Sequence, residues 1–269
     1  MGGSGSNAVS RMAKCKIKGI ELIVINTDAQ DLAKAKADVK LRIGRKATQG
    51  LGTGMNPEIG RKSALENHQE ILEILRGSDM IFIACGLGGG TGTGAAPVIA
   101  QTAKELGILT LAVVTKPFSF EGQARLRIAE NGIKRLKENV DTLISISNDK
   151  LLSTLDPNTA LVNAFWICDD ILRQAVQGIS DLILLPGIIN VNFADVKTIM
   201  TDAGSALFGV GKAQGEGRAE KAALSAINSP LLDVSVKGAK GVLFNVSGGK
   251  DISLSEIDEI AKVITREVN

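Results

Sequence analysis

Residues 80–107 read MIFIACGLGGGTGTGAAPVIAQTAKELG. An apolar run of strand length, Met80–Cys85, feeds a loop made almost wholly of glycine and threonine. A helix expected to open near Ala95-Ala96-Pro97 follows, since proline suits a first helical turn. Glycines let backbone N–H groups converge on an anion, and a helix N-terminus adds partial positive charge. The stretch therefore predicts a polyphosphate site at the end of a buried strand.

Outward from it, LIVIN (22–26), LTLAVVT (109–115) and LISIS (143–147) are further short β-branched runs separated by amphipathic segments. That alternation predicts an α/β fold with a Rossmann-like parallel sheet covered by helices. From Asn158 the period changes. Leu161, Phe165, Cys168, Leu172, Val176, Ile179 and Ile183 recur three or four residues apart, predicting a long helix that stops before Pro186-Gly187. Beyond it come a loop, GIINVNFAD, a helix near 194–202, a strand near SALFGVG, a helix over GRAEKAALSAI, a strand in GVLFNV and a last helix, LSEIDEIAKVITREV. The expected organisation is a nucleotide-binding domain over 1–157, a central connecting helix over 158–185, and a smaller, incomplete α+β domain over 186–269.

At 269 residues and 44% apolar content the chain is long enough to bury real cores. A net charge of +2, from 31 basic and 29 acidic residues, gives no field that argues for nucleic acid or an anionic membrane. Cys15, Cys85 and Cys168 lie far apart with no C-x-x-C or Cys/His spacing, which argues against a disulfide framework or a zinc site. No apolar run approaches the roughly 20 residues of a membrane span, so neither direct membrane insertion nor a nucleic-acid partner is expected. Trp166 and the phenylalanines follow apolar stripes and default to core packing.

The kind of phosphate site narrows by elimination. GLGGGTGTG contains no G-x-G-x-x-G, which removes a dinucleotide site and with it an NAD-dependent enzyme. Gly89 and Gly94 have the spacing of a P-loop, but Ala95 stands where its lysine belongs. GGGTGTG matches the signature of the tubulin/FtsZ family. NTDAQ (26–30), GLGTGMNPEIG (50–60), PFSFEG (117–122), NDKLL (148–152), QGISDLI (177–183) and NFADVKTIM (192–200) follow in that family's order. Over essentially its whole length the chain resembles the bacterial cell-division members of this family.

The resemblance implies GTP and GDP as ligands, with Mg2+ bound mainly through the nucleotide phosphates and no dedicated protein metal site. Gly90, Thr91, Gly92, Thr93 and Gly94 would cradle the β- and γ-phosphates, with Gly52, Thr53 and Gly54 on the γ side. MGGSGSNAV at the start, which alone reads as a Gly/Ser linker, then overlays a first glycine turn through Gly3, Ser4, Gly5 and Ser6, with Asn7 a base- or ribose-side contact. Glu121 and Arg125, spaced i, i+4 as on one helix face, would contact the ribose and nucleotide. Phe165 and Asp169, also i, i+4, would stack on guanine and accept its N1–H and N2–H2 protons.

Hydrolysis, by the same resemblance, is completed in trans, when the loop after the central helix enters the next subunit's pocket in a head-to-tail homopolymer. That loop reads Asn190-Val191-Asn192-Phe193-Ala194-Asp195 against a family pattern N-x-D-x-x-D. Asp195 is retained, and Asn192 replaces an aspartate, so turnover is expected to be weakened. The implied setting is a division ring in the cytoplasm at midcell, with adaptor proteins recruited by a C-terminal peptide. The sequence is expected to be truncated at both ends, lacking the family's first strand and that peptide, and to be less stable for it. Two further readings stand beside the GTPase: a GTP-binding scaffold with little hydrolysis, and a non-functional fragment.

Overall fold

The computed structural model of the chain describes all residues except 16, 18, 153–155, 157, 186–191, 230–235, 250 and 269. It divides into two compact units, Met1–Ala206 and Leu207–Asn269.

In the first unit the elements run α1 (Gly2–Cys15), β1 (Ile23–Asn26), α2 (Ala29–Lys34), β2 (Val39–Arg42), α3 (Arg45–Thr48), α4 (Pro57–Glu66) and α5 (His68–Leu75). Then follow β3 (Met80–Gly86), α6 (Thr91–Glu105), β4 (Leu109–Lys116), α7 (Gln123–Lys137), β5 (Thr142–Ser147), α8 (Asn148–Leu152), α9 (Leu161–Leu184), α10 (Phe193–Met200) and β6 (Gly204–Ala206). Among the described residues every pairing between these strands is parallel. β3, β4, β5 and β6 form one sheet in that order, with Met80 opposite Leu109 and Leu111 opposite Thr142, and β1 pairs with β2 in another. β4 is buried along nearly its whole length, which is why LTLAVVT is a continuous apolar run rather than an alternating one.

β1–β2 and β3–β6 are separate sheets among the described residues. Among the described residues one edge of β1 and one of β3 carry no ladder partner, and a cavity of about 600 Å³ is bounded by these strands, α1 and α9. Met12, Ile23, Ile25, Ile81, Ile83 and Val176 are among its lining residues. The Met1 amine is buried and donates to the Ala84 carbonyl at 2.8 Å.

Several local expectations change. α6 starts at Thr91, not near Ala95: its first bond, Gly94 N–H to the Gly90 carbonyl at 2.9 Å, forms before the chain reaches Pro97, which sits inside the helix. β2 escaped the sequence reading because VKLR carries charge on alternate positions. The strand expected over 205–211 shortens to β6, and GVLFNV carries no ladder partner among the described residues, so it is not assigned as a strand. Trp166 and Phe165 are 50% and 40% exposed rather than core.

In the second unit α11 (Arg218–Ile227) and α12 (Leu254–Val268) pack through Ala219, Ala223, Ile260 and Val263. Arg218 binds both Asp251 and Glu256, at 2.7 and 2.6 Å. Among the described residues no helix is long and apolar enough to cross a membrane.

Candidate nucleotide-binding site

The segments that leave the C-terminal ends of β1, β3 and β4 meet, where open parallel sheets hold their ligands. After β1, the Thr27 hydroxyl lies 2.7 Å from that of Thr91, which opens α6 after β3. The Thr53 hydroxyl, from the second glycine loop, lies 3.4 Å from the same Thr91 oxygen. Close approach makes glycine obligatory at Gly90, where a Cβ would sit 2.2 Å from the Thr53 hydroxyl. Gly2, at φ +63, brings the start of α1 to the same loop, with Gly92 N 3.3 Å from where a Cβ would be.

Two helix N-termini, α1 and α6, therefore open beside one another, and their unbonded N–H groups and dipoles favour an anion. Within α1, Ser6 Oγ donates to the Gly2 carbonyl at 2.7 Å and accepts from Asn26 Nδ2 at 3.3 Å. Asn26 Nδ2 also donates to Asp31 at 2.6 Å. Asp28 caps α2, accepting from the Gln30 and Asp31 backbone, and Asn56 caps α4 ahead of Pro57. Thr93 is occupied within the loop, accepting from Gly88 N–H at 3.0 Å. Gly3, Asn7 and Gly54 are exposed, and Gly52 is half-buried.

An aromatic cluster closes one side. Phe118, fully buried, stacks on Phe120 at 4.9 Å and meets the edge of Phe165 at 5.2 Å. The Glu121 carboxylate accepts from Phe118 N–H at 3.0 Å and pairs with Arg125 at 2.5 Å. The pair forms as the spacing predicts, but not on one helix. Glu121 ends a 3-10 turn over Ser119–Glu121, and Gly122 at φ +102 breaks the chain before α7.

Asp169, 7% exposed, lies where α9 packs on α1. Its carboxylate accepts from Ser4 Oγ at 3.4 Å and faces Arg11 at 3.6 Å. Burial pushes its pKa up to about 6, against the lowering effect of Arg11 and Ser4. The neighbouring Cys168 thiol is pushed up to about 12 by burial, which makes it an inert packing residue at neutral pH. Sequence reasoning missed Asn26, Thr27 and Arg11. The first two lie in the quoted NTDAQ motif, whereas nothing in the sequence links Arg11 to a residue 158 positions away.

The structure does not bring the predicted catalytic loop to this place. Asn190 lies outside the described residues. Asn192 and Asp195 are exposed at the start of α10. α10 belongs to the other end of the sheet. Phe193 lines the cavity together with Met80, the first residue of β3, and Thr142, the first of β5, donates to the Met200 carbonyl at 2.6 Å. The glycine loop begins beyond Gly86, the last residue of β3, roughly 20 Å further along the strand. Among the described residues no cluster of three or more His, Cys, Asp or Glu could hold a metal ion.

Fold and site define an open parallel-sheet α/β domain with a glycine loop at its strand ends whose geometry suits an anion. Residues 1–156 match the Tubulin/FtsZ family, GTPase domain, and residues 204–269 match the FtsZ family, C-terminal domain. The chain belongs to the tubulin/FtsZ family. It is similar to the empty FtsZ dimer of M. jannaschii, at 47% identity and a TM-score of 0.95 over all of this chain and 78% of that one. An FtsZ point mutant, also from M. jannaschii, gives 47% and 0.95 over all of this chain and 80% of that one. The GDP-bound monomer of CetZ1 from Haloferax volcanii, at 19% identity and a TM-score of 0.82 over 99% of this chain and 84% of that one, shares the fold. The FtsZ neighbours come from an archaeon, so the family is established and the expected bacterial branch is not.

Proposed function

We propose that this chain binds GTP and GDP between the two glycine loops, the start of α1 and the Phe165–Asp169 face of α9, and that it polymerises head to tail. Hydrolysis is then completed by α10 of the adjoining subunit. The observation that carries this reading is the separation of the glycine loop from Asp195 by the length of the sheet. One subunit cannot place both on one γ-phosphate, whereas stacking the start of α10 on the next subunit's glycine loop does. FtsZ of M. jannaschii is a dimer, and self-association in that relative supports the reading.

In this reading Gly90–Gly94, with Gly52, Thr53 and Gly54, hold the phosphates. Gly3–Asn7 close over them from α1, and Glu121 and Arg125 meet the ribose. Mg2+ bound through the phosphates would neutralise charge developing on the β- and γ-oxygens. The grouped Thr27, Thr53 and Thr91 hydroxyls would offer neutral oxygens to such an ion. Asp195 acts on the attacking water, and Asn192, which cannot carry negative charge, lowers turnover. The polymer forms a division ring in the cytoplasm and engages adaptor proteins.

Asn192 favours a second reading, a GTP-binding filament or scaffold with little or no hydrolysis. Phosphate release measured alongside light scattering separates the two. Assembly with turnover supports the GTPase, assembly without turnover supports the scaffold, and failure to bind a fluorescent guanine nucleotide overturns both in favour of a non-functional fragment.

A further inference from the structure

Ser4 and Arg11 are seven residues apart and so share one face of α1, the face turned to α9. Each addresses one oxygen of Asp169: Ser4 Oγ lies 3.4 Å from Oδ1, and Arg11 Nη2 lies 3.6 Å from Oδ2. The Arg11 guanidinium also lies over the Trp166 ring, 4.8 Å from its centroid. Trp166 and Asp169 are spaced i, i+3 on α9, so the guanidinium is held between a ring and a carboxylate of the same helix face. Its Nε is buried and has no hydrogen-bond partner among the described residues.

We infer that Arg11 is a positioning residue for base selection: seated on Trp166, it keeps the Asp169 carboxyl ionised and oriented, so that it offers acceptors only. This rests on the proposal that Asp169 meets the nucleotide base. An ionised carboxylate has about four lone-pair sites; Ser4 and Arg11 use two, and two remain for guanine's N1–H and N2–H2. A protonated carboxyl presents one donor beside one acceptor, which complements adenine's N1 and N6 amino group instead. The charge on Asp169 therefore decides which purine fits.

That charge is contested. Burial favours the neutral form, and Arg11 is the cation that opposes it. From α9 itself Asp169 has Cys168 and Asp170 as sequence neighbours, and Asp170 is engaged by Arg173 at 2.6 Å. Of the other elements on α9, β4 carries Lys116 and α8 carries Asp149 and Lys150. A role as mere packing would let Arg11 change stability without changing base preference.

The test uses the full chain and its Arg11→Met and Arg11→Lys variants, with Trp166→Leu as a variant that unseats Arg11 without removing its charge. Two quantities are read from about pH 5.5 to about pH 8, around the expected titration. One is the titration midpoint of the Asp169 carboxyl by 13C NMR, and the other is equilibrium binding of fluorescent GDP and ADP. Arg11→Met should raise the midpoint by about one to three pH units and lower the guanine-over-adenine preference at neutral pH at least tenfold. Arg11→Lys should restore much of both, and Trp166→Leu should move both in the same direction by less. An unchanged midpoint and preference in Arg11→Met and Trp166→Leu would overturn the inference. Failure of the parent chain to bind either nucleotide would overturn the functional reading and the selection role, recognisably, because the NMR midpoint reports the ion pair without nucleotide.

Discussion

The Asn192 side chain accepts from the Asp195 backbone N–H at 2.8 Å, and the Asp195 carboxylate accepts in return from the Asn192 backbone N–H at 3.3 Å. This reciprocal cap starts α10 and gives both residues a structural duty alongside the proposed chemical one. Asparagine and aspartate cap helices about equally well. Asn192→Asp should therefore leave stability within about 0.5 kcal/mol while raising GTP turnover on the order of 10²-fold. Asp195→Ala should abolish turnover and also cost about 0.5–1 kcal/mol through the lost return bond to the Asn192 N–H. Thermal melts beside phosphate-release rates check both, and equal turnover of parent and Asn192→Asp would remove the carboxylate from the mechanism.

Asp169 makes stability depend on pH in a defined direction. Its pKa is about 6 in the folded chain against a reference of 3.8, so between these values the folded state holds a proton that the unfolded state releases. Its contribution is complete below the lower value and is lost as pH rises through about 6. Asp169→Asn should flatten this fall between about pH 4 and pH 6.5 while sharply reducing guanine-nucleotide binding. Denaturation at the two pH values, with and without GDP, reads both effects; an identical pH slope in the variant would contradict the burial argument.

Phe165 touches the Phe118 ring by its edge and is 40% exposed. Phe165→Ala should cost the ligand-free chain only about 0.5–1.5 kcal/mol, the worth of such an aromatic pair. Guanine nucleotide should bind more weakly by about 1–3 kcal/mol, the usual worth of base stacking. A large loss of stability with unchanged affinity would make Phe165 a packing residue.

The cavity between the edges of β1 and β3 that carry no ladder partner among the described residues is lined mainly by apolar side chains and flanked by parallel strands. A Val/Ile-rich hexapeptide fused directly ahead of Met1 should enter it, pair with both edges and raise the melting temperature by several degrees. The same fusion carrying a central proline and aspartate should not. Equal melting of the two fusions would show that the cavity does not accept a strand.

Legibility from sequence followed the range of the forces involved. LIVIN, MIFIAC, LTLAVVT and LISIS were readable because buried parallel strands are apolar throughout, and α9 because its stripe runs through many turns. GVLFNV has the same local character yet finds no ladder partner among the described residues, and a partner is what local sequence does not reveal. Pro97 misplaced the start of α6 because the glycine loop coils into helix before the proline arrives. Individual loops of the site were readable from their motifs. Their joining through Thr27, Thr53 and Thr91, and the grip of Arg11 on Asp169, are products of the fold.

The central claim is that the glycine loop of one subunit and Asp195 of another make one catalytic centre. Per-subunit GTP turnover measured across protein concentration, with sedimentation of the same samples, tests it most directly, and the Asn192→Asp chain gives the stronger signal. The account predicts negligible turnover below a threshold concentration and a steep rise where sedimenting polymer appears. Turnover per subunit that stays constant from dilute monomer through assembly would contradict it.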